Sequence, residues 1–105
     1  MNTTTFYVEL LAFNRDPKNV KLRPVAVPNA DLGGSVEAEL QAIFKWGQND
    51  FQPVEGCYSV SCGDVIRYGG PCGMVRRFQV MGCGFKELMQ GEKALDVFAA
   101  TFASA

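Results

Sequence analysis

Residues 57–85 read CYSVSCGDVIRYGGPCGMVRRFQVMGCGF, and this stretch predicts a β-hairpin in the second half of the chain. Residues 64–68 and 74–81 are rich in β-branched, aromatic and alternating side chains, as strands are. The segment 69–73 between them contains three glycines and a proline, which is typical of a turn. It lacks the Gly-Lys-Ser/Thr ending of a nucleotide-binding loop, so a hairpin turn is favoured over a phosphate site. Four basic residues and no acidic residue fall within 67–86, namely Arg67, Arg76, Arg77 and Lys86.

The N-terminal quarter of the chain predicts another antiparallel hairpin. Residues 5–13 are apolar on both alternating faces, a pattern typical of a strand in the centre of a sheet. Residues 20–27 alternate until Pro24. Because proline has no backbone N–H, this strand is expected at a sheet edge or with a bulge. The polar segment 14–19 between the two strands contains Asp-Pro, which favours a turn.

Two further segments have helical periodicity. Ser35 is a candidate N-cap for a helix over 35–47, whose apolar side chains recur on one face until Gly47. Phe51, in the loop that follows, is expected to point inward. A last helix is predicted from Phe85 onward, with apolar side chains at Leu88, Met89, Leu95, Phe98 and Phe102.

These elements together predict an α+β fold in the order β-β-α-β-β-α. An antiparallel sheet of about four strands would carry two helices packed on it. At 105 residues, the chain is expected to form a single small globular domain over 1–105. A small, partly closed barrel is the alternative, because Gly-Asp-Val-Ile strand entries also occur in RNA-binding barrels.

The composition argues against several classes of protein. Hydrophobic residues make up 48% of the chain and the net charge is −1, which gives no general attraction to nucleic acid or to an anionic membrane. The sequence has no apolar window of about 18 residues, so no membrane contact is expected. It also begins without the basic and apolar regions of a signal peptide. We therefore expect a cytoplasmic location.

The four cysteines predict neither a metal site nor a cofactor. Their separations match no zinc-binding pattern, and the chain contains no histidine. In a cytoplasm they are expected to be reduced and to serve as small buried residues in and beside strands. A metal site assembled from all four cysteines in three dimensions is the alternative.

Candidate nucleophiles are few. Ser59 and Ser61 lie near Asp64, but without a histidine the usual general base is missing. Ser61 and Asp64 are therefore expected to hydrogen-bond backbone amides in a tight turn. Cys83 is the best candidate thiolate, because it precedes the predicted last helix and is followed by Lys86. These observations place an enzyme third among the expected functions.

Four short segments within 38–88 carry a family resemblance. They are the helix 40–46 (LQAIFKW), Asp50-Phe51, the strand entry 59–66 (SVSCGDVI) and the closing 84–88 (GFKEL). In this order they resemble the YodL-like family of small proteins of phages and mobile elements. The chain departs from that pattern at Cys62-Gly63 and in the segment 80–83. The resemblance implies an accessory gene of a phage or mobile element, and it implies no established biochemical activity.

Two surfaces are predicted to bind partners. One is the basic and aromatic hairpin, with Arg67, Tyr68, Arg76 and Arg77, and the other is the Phe98/Phe102 face of the last helix, which also suits a homodimer. The first expectation is a small non-enzymatic accessory protein that binds a host or element protein, with interference in a host defence or regulatory system as one such role. The second is a nucleic-acid-binding accessory protein that uses the 64–80 hairpin.

Overall fold

A computed structural model describes residues 2–12, 19–69, 75–89 and 92. Within these residues the chain forms a five-stranded antiparallel sheet, one α-helix and one short 3-10 helix. The strands lie in the order β2-β1-β3-β4-β5, so β2 and β5 are the two edges of an open sheet. The bounds are β1 Thr3–Leu10, β2 Lys21–Pro28, the 3-10 helix Asn29–Asp31, α1 Val36–Trp46, β3 Val65–Gly69, β4 Val75–Met81 and β5 Gly84–Leu88.

Both predicted hairpins are confirmed. β1 pairs with β2 from Thr3 opposite Pro28 to Leu10 opposite Lys21, and β3 pairs with β4. β1 also pairs with β3, which confirms its predicted place inside the sheet. β2 lies at an edge, where Pro24 costs no ladder hydrogen bond.

The first predicted helix is confirmed, with its caps. The Ser35 side chain accepts a hydrogen bond from the Ala38 N–H at 3.1 Å, and the Gly47 N–H closes the helix by donating to the Ile43 carbonyl at 2.9 Å. Leu40 and Ile43 are buried against one face of the sheet. The core on that face consists of Phe6, Val8, Leu10, Val25, Val27, Leu40, Ile43, Val60, Ile66, Phe78 and Val80.

The predicted order β-β-α-β-β-α, with about four strands and two helices, is wrong. Residues Gly84–Leu88, expected to begin the last helix, form a fifth strand that pairs with β4. The i, i+3 spacing of Phe85 and Leu88 suits one face of a helix, and in the strand it places the two side chains on opposite faces of the sheet. Five residues are too few for periodicity to decide between the two conformations. The two-residue connection Gly82-Cys83 returns the chain directly beside β4, with Gly84 at a φ of +123° that favours glycine. Ladder pairing then decides the conformation.

Two other expectations concern aromatic residues. Phe98 and Phe102, with the rest of the predicted last helix after residue 92, lie outside the described residues. Phe51 was expected to point inward, and this prediction is wrong, because the residue is 56% exposed. It lies edge-on to Trp46, with ring centroids 5.8 Å apart. Among the described helices, none has the length and apolar character needed to cross a bilayer.

Gly47 is expected to tolerate no side chain. A Cβ added there would lie 2.4 Å from Cγ2 of Val60 and 3.1 Å from the Ile43 carbonyl oxygen. We expect Gly47→Ala to lower the free energy of unfolding by about 1–3 kcal/mol, the usual cost of overpacking. Gly82→Ala is the matched control, because a Cβ there meets nothing within 4 Å, and its expected change is within about 0.5 kcal/mol. Urea unfolding compares the two, and equal losses would contradict the prediction.

Candidate functional site

The sheet face opposite α1, called here the second face, carries a compact group of charges among the described residues. Phe6 and Val8 of β1 point toward α1, so Tyr7 and Glu9 between and after them point to the second face. Strand register brings two arginines to the same place, since Arg67 is opposite Tyr7 on one side and opposite Arg77 on the other. The second face therefore joins residues from three strands.

Glu9 is the centre of this group. Its side chain is almost completely buried, and Arg77 holds it with two hydrogen bonds, Nε to Oε2 at 2.8 Å and Nη2 to Oε1 at 2.9 Å. Arg67 adds a single bond from Nε to Oε2 at 3.1 Å. The arginine side chains remain partly open to solvent, at 43% for Arg67 and 35% for Arg77.

The electrostatics of the group favour the charged forms of Glu9 and Arg77. Burial raises the pKa of Glu9, but the hydrogen bonds and charges of Arg77 and Arg67 outweigh it, so the pKa lies below its ordinary value. The hydrogen bond to Glu9 in turn raises the pKa of Arg77. Because two guanidinium groups share one carboxylate, one positive charge is uncompensated within the group.

The two arginines are expected to contribute unequally to stability. Arg77→Ala leaves buried Glu9 with one weaker partner, so we expect the free energy of unfolding to fall by about 1–3 kcal/mol at pH 7. Arg67→Ala keeps the two-bond pair intact and should cost less than about 1 kcal/mol. The Glu9 pKa is depressed in the fold, so its contribution is present above the ordinary value of 4.5 and is lost as pH falls through the folded pKa.

Urea unfolding of these two variants between pH 7 and pH 3 tests this order. The difference between Arg77→Ala and the unaltered chain should shrink as the pH falls below the ordinary Glu9 value of 4.5. A larger loss in Arg67→Ala than in Arg77→Ala would contradict the assignment of Arg77 as the main partner of Glu9.

The other two predicted hairpin residues lie on the α1 face. Arg76 forms a two-bond ion pair with Glu87 of β5, at 2.8 and 2.9 Å, and its guanidinium lies 5.0 Å from the ring centroid of Phe78. The Tyr68 hydroxyl donates to Glu39 of α1, and this bond lowers the pKa of Glu39 and raises that of Tyr68. The structure therefore separates Arg76 and Tyr68 from Arg67 and Arg77, which sequence reasoning had grouped together.

Tyr7 is the residue that sequence reasoning missed. It is 48% exposed and lies directly opposite Arg67 on the second face. Side chains alternate between the two faces along β1, and with Phe6 and Val8 facing the core, this alternation could have placed Tyr7 on the opposite face. Apolar character on both faces of the predicted strand concealed this signal. Tyr7, Arg67 and Arg77 together form the open part of the second face.

The turn before β3 is built around the buried carboxylate of Asp64. Its Oδ1 accepts from the N–H groups of Leu11 at 2.9 Å and Ala12 at 2.8 Å, and from the Tyr58 hydroxyl at 3.0 Å. Its Oδ2 accepts from the Ser61 N–H at 2.9 Å. Burial raises the pKa of Asp64 even though these four donors act against the shift. The predicted bonding of Asp64 to backbone amides is confirmed.

The Ser61 side chain was expected to bond a backbone amide, and this prediction is wrong. The Ser61 hydroxyl donates to the Ser59 carbonyl at 2.9 Å, so it serves a carbonyl rather than an amide. The Ser59 hydroxyl accepts from the Asn49 N–H at 2.9 Å. The Ser61 hydroxyl therefore acts within its own loop, and the Ser59 hydroxyl joins that loop to the segment after α1.

The cysteines were expected to be buried, and this is wrong for Cys62 and Cys83, which are exposed. Cys83 lies in the β4–β5 turn rather than before a helix, and Lys86 forms an ion pair with Glu92 at 2.6 Å. Cys72 lies outside the described residues. Among those the structure describes, no three potential metal ligands come together.

Protein-family models, curated proteins and solved structures gave no match to the chain. The interpretation of the second face therefore depends on its geometry.

Proposed function

We propose that the protein is a non-enzymatic binding protein that acts by stoichiometric contact with another protein through the second face. The observation that supports this is a pair of partly exposed arginines fixed by one buried carboxylate beside an exposed tyrosine. Arginine and tyrosine are enriched among the residues that supply most of the energy of protein interfaces. Because Glu9 already holds both guanidinium groups, they lose little side-chain entropy on binding.

The charge of the second face favours an acidic partner surface. The group of Glu9, Arg67 and Arg77 retains one uncompensated positive charge, which complements a carboxylate. The same arrangement weakens the case for nucleic acid. Arg76 is neutralised by Glu87, and a single spare charge releases too few counterions for tight binding at physiological salt.

The setting of this proposal is an accessory gene of a phage or mobile element, as the resemblance of residues 38–88 suggests. The partner would be a host or element protein in the cytoplasm. Interference with a host defence or regulatory system is a role that such stoichiometric binding serves.

Affinity capture tests the proposal. The tagged protein is expressed in cells that carry the gene, and the lysate is treated with nuclease before capture. We expect a partner recovered in near-equimolar amount that is lost with the double variant Tyr7→Ala/Arg67→Ala. The matched control is Lys45→Ala/Phe51→Ala, which removes one cation and one exposed aromatic ring from the α1 side of the molecule.

Two results would overturn the proposal. One is equal loss of the partner in both double variants, which would show that the second face has no special role. The other is recovery of the partner only from a parallel lysate that has not been treated with nuclease, together with salt-sensitive binding in a fluorescence titration against DNA and RNA. That outcome would favour a nucleic-acid-binding protein.

A further inference from the structure

The two edges of the sheet differ in what they offer to another strand. At the β2 edge, the Gln52 side chain accepts from the Ala26 N–H at 2.7 Å and donates to the Ala26 carbonyl at 2.8 Å. Pro24 and Pro28 occupy the alternate positions on the same side and have no N–H. The β2 edge is therefore closed to strand addition over these three residues.

The outward residues of β5 follow from the hydrogen bonds of β4. Val80 donates its N–H to the Asp64 carbonyl and accepts from the Gly63 N–H, both at 2.8 Å, so its backbone points toward β3. Backbone N–H and carbonyl groups point to alternate sides along a strand, so those of Arg77, Gln79 and Met81 point toward β5. Their partners in β5 are Gly84, Lys86 and Leu88. The backbone groups of Phe85 and Glu87 consequently point away from the sheet.

Met89 is the next residue whose backbone groups point outward, and both of its groups already form hydrogen bonds. Its N–H donates to the Glu92 carboxylate and its carbonyl accepts from the Glu92 N–H, both at 2.9 Å. In the described part of the chain, β5 pairs with β4 alone, and no hydrogen bond satisfies the outward groups of Phe85 and Glu87. These two residues offer two N–H and two carbonyl groups to an added strand.

A second copy of this chain is a poor occupant of this edge. The one antiparallel register that uses Phe85 and Glu87 of both copies places Lys86 directly opposite Lys86 of the other copy. Each Lys86 also pairs with its own Glu92, but like charges in directly opposite positions are destabilising, and lysine at an edge commonly blocks such pairing. A strand with a carboxylate at that position removes the conflict. Lys86 uses one of its three donors for Glu92, which leaves two for such a carboxylate.

We propose that the outer edge of β5 binds an extended acidic segment of a partner protein, which adds to the sheet as a further strand through Phe85 and Glu87. An acidic residue of that segment lies beside Lys86 on the second face, and apolar neighbours lie beside Phe85 on the other. This inference rests on the proposed function, because it gives the way in which the acidic partner is held.

Backbone amide exchange measured by NMR is the first test. The probe is a synthetic peptide of about ten residues that alternates valine and glutamate, a length sufficient for one strand. We expect slower exchange at the Phe85 and Glu87 amides when this peptide is added, and no slowing with a matched peptide that has lysine in place of glutamate. Equal effects of the two peptides, or no slowing at either amide, would overturn the proposal. So would slowing that rises with protein concentration alone, since that result assigns the edge to a second copy.

A pair of variants at Glu87 isolates the backbone contribution. Glu87→Pro and Glu87→Ala both remove the carboxylate that pairs with Arg76, but only proline removes the outward N–H. We expect peptide affinity to be about tenfold lower in Glu87→Pro than in Glu87→Ala, the loss that one good hydrogen bond implies. Equal affinities would count against strand addition. If Glu87→Pro does not fold, the exchange measurement on the unaltered chain decides alone.

Failure of this inference is distinguishable from failure of the proposed function. If the captured partner binds Glu87→Pro as well as Glu87→Ala but is lost with Tyr7→Ala/Arg67→Ala, strand addition is wrong and the second face remains the contact surface. If no partner is captured at all, the proposed function fails irrespective of the peptide result.

Discussion

Asp64→Ala is expected to lower the free energy of unfolding by about 3–5 kcal/mol, enough to unfold much of a domain of this size. The buried carboxylate satisfies the N–H groups of Leu11, Ala12 and Ser61 and the hydroxyl of Tyr58. Removing it takes the acceptor away from four partly buried donors, and each lost bond costs up to about 1–3 kcal/mol. Urea unfolding at pH 7 measures the loss.

Two further variants sharpen this test. Asp64→Asn keeps the shape but turns one acceptor into a donor, so we expect an intermediate loss of about 1–3 kcal/mol. Asp50→Ala is the control, because Asp50 is exposed, and its expected change is within about 0.5 kcal/mol. A loss below about 1 kcal/mol in Asp64→Ala would contradict the role assigned to the carboxylate.

The pH dependence of Asp64 should run opposite to that of Glu9. Burial raises the folded pKa of Asp64 above its ordinary value of 3.8, so the folded state binds the proton more tightly than the unfolded chain. The stability of the unaltered chain relative to Asp64→Asn should therefore rise as the pH falls through the folded pKa toward 3.8. Unfolding measured in parallel at several pH values gives this difference directly.

Arg23→Met should be the second most damaging substitution, with an expected loss of about 3 kcal/mol or more. Arg23 is fully buried on the α1 side of β2. Its Nη1 donates to Oδ1 of Asn49 at 2.7 Å and to the Tyr58 carbonyl at 2.8 Å, and its Nη2 donates to the Gln52 carbonyl. One guanidinium thus holds three points of the loop between α1 and β3.

The acceptors around Arg23 are neutral, which explains the size of the effect. Among the described residues no carboxylate pairs with it, and its Nε has no hydrogen-bond partner. Burial accordingly lowers the pKa of Arg23. The bonds to Asn49, Gln52 and Tyr58 offset that desolvation, and methionine in place of the arginine would remove the guanidinium donor from all three acceptors.

A lysine at this position and a control on the same strand complete the test. Arg23→Lys keeps the charge but lacks the planar guanidinium with its several donors. It should therefore restore less than half of the free energy of unfolding that Arg23→Met loses. Lys21→Met removes an exposed cation that donates to the Gly56 carbonyl, and it should cost less than about 1 kcal/mol. Equal losses in Arg23→Met and Lys21→Met in urea unfolding would refute the role given to Arg23.

Predictions from the sequence were correct for features whose conformation depends only on residues close together in the chain. The Ser35 cap, the helix end at Gly47, the two hairpins and the edge position of Pro24 all follow from rules that act within a few residues. Residues 84–88 were assigned wrongly because five residues hold too little periodicity to distinguish a strand from a helix.

Sequence pattern alone thus determined where α1 begins and ends and that β1 pairs with β2 and β3 with β4, because backbone preference and side-chain period are local properties. Tertiary structure alone decided how the arginines are used. Glu9 lies 58 residues before Arg67 and 68 before Arg77, and only the register of three strands brings them together. The same long-range pairing buried Arg23 and left Phe85 and Glu87 at an edge of the sheet that the structure describes. Charge compensation and edge exposure depend on which strands become neighbours, which no local pattern specifies.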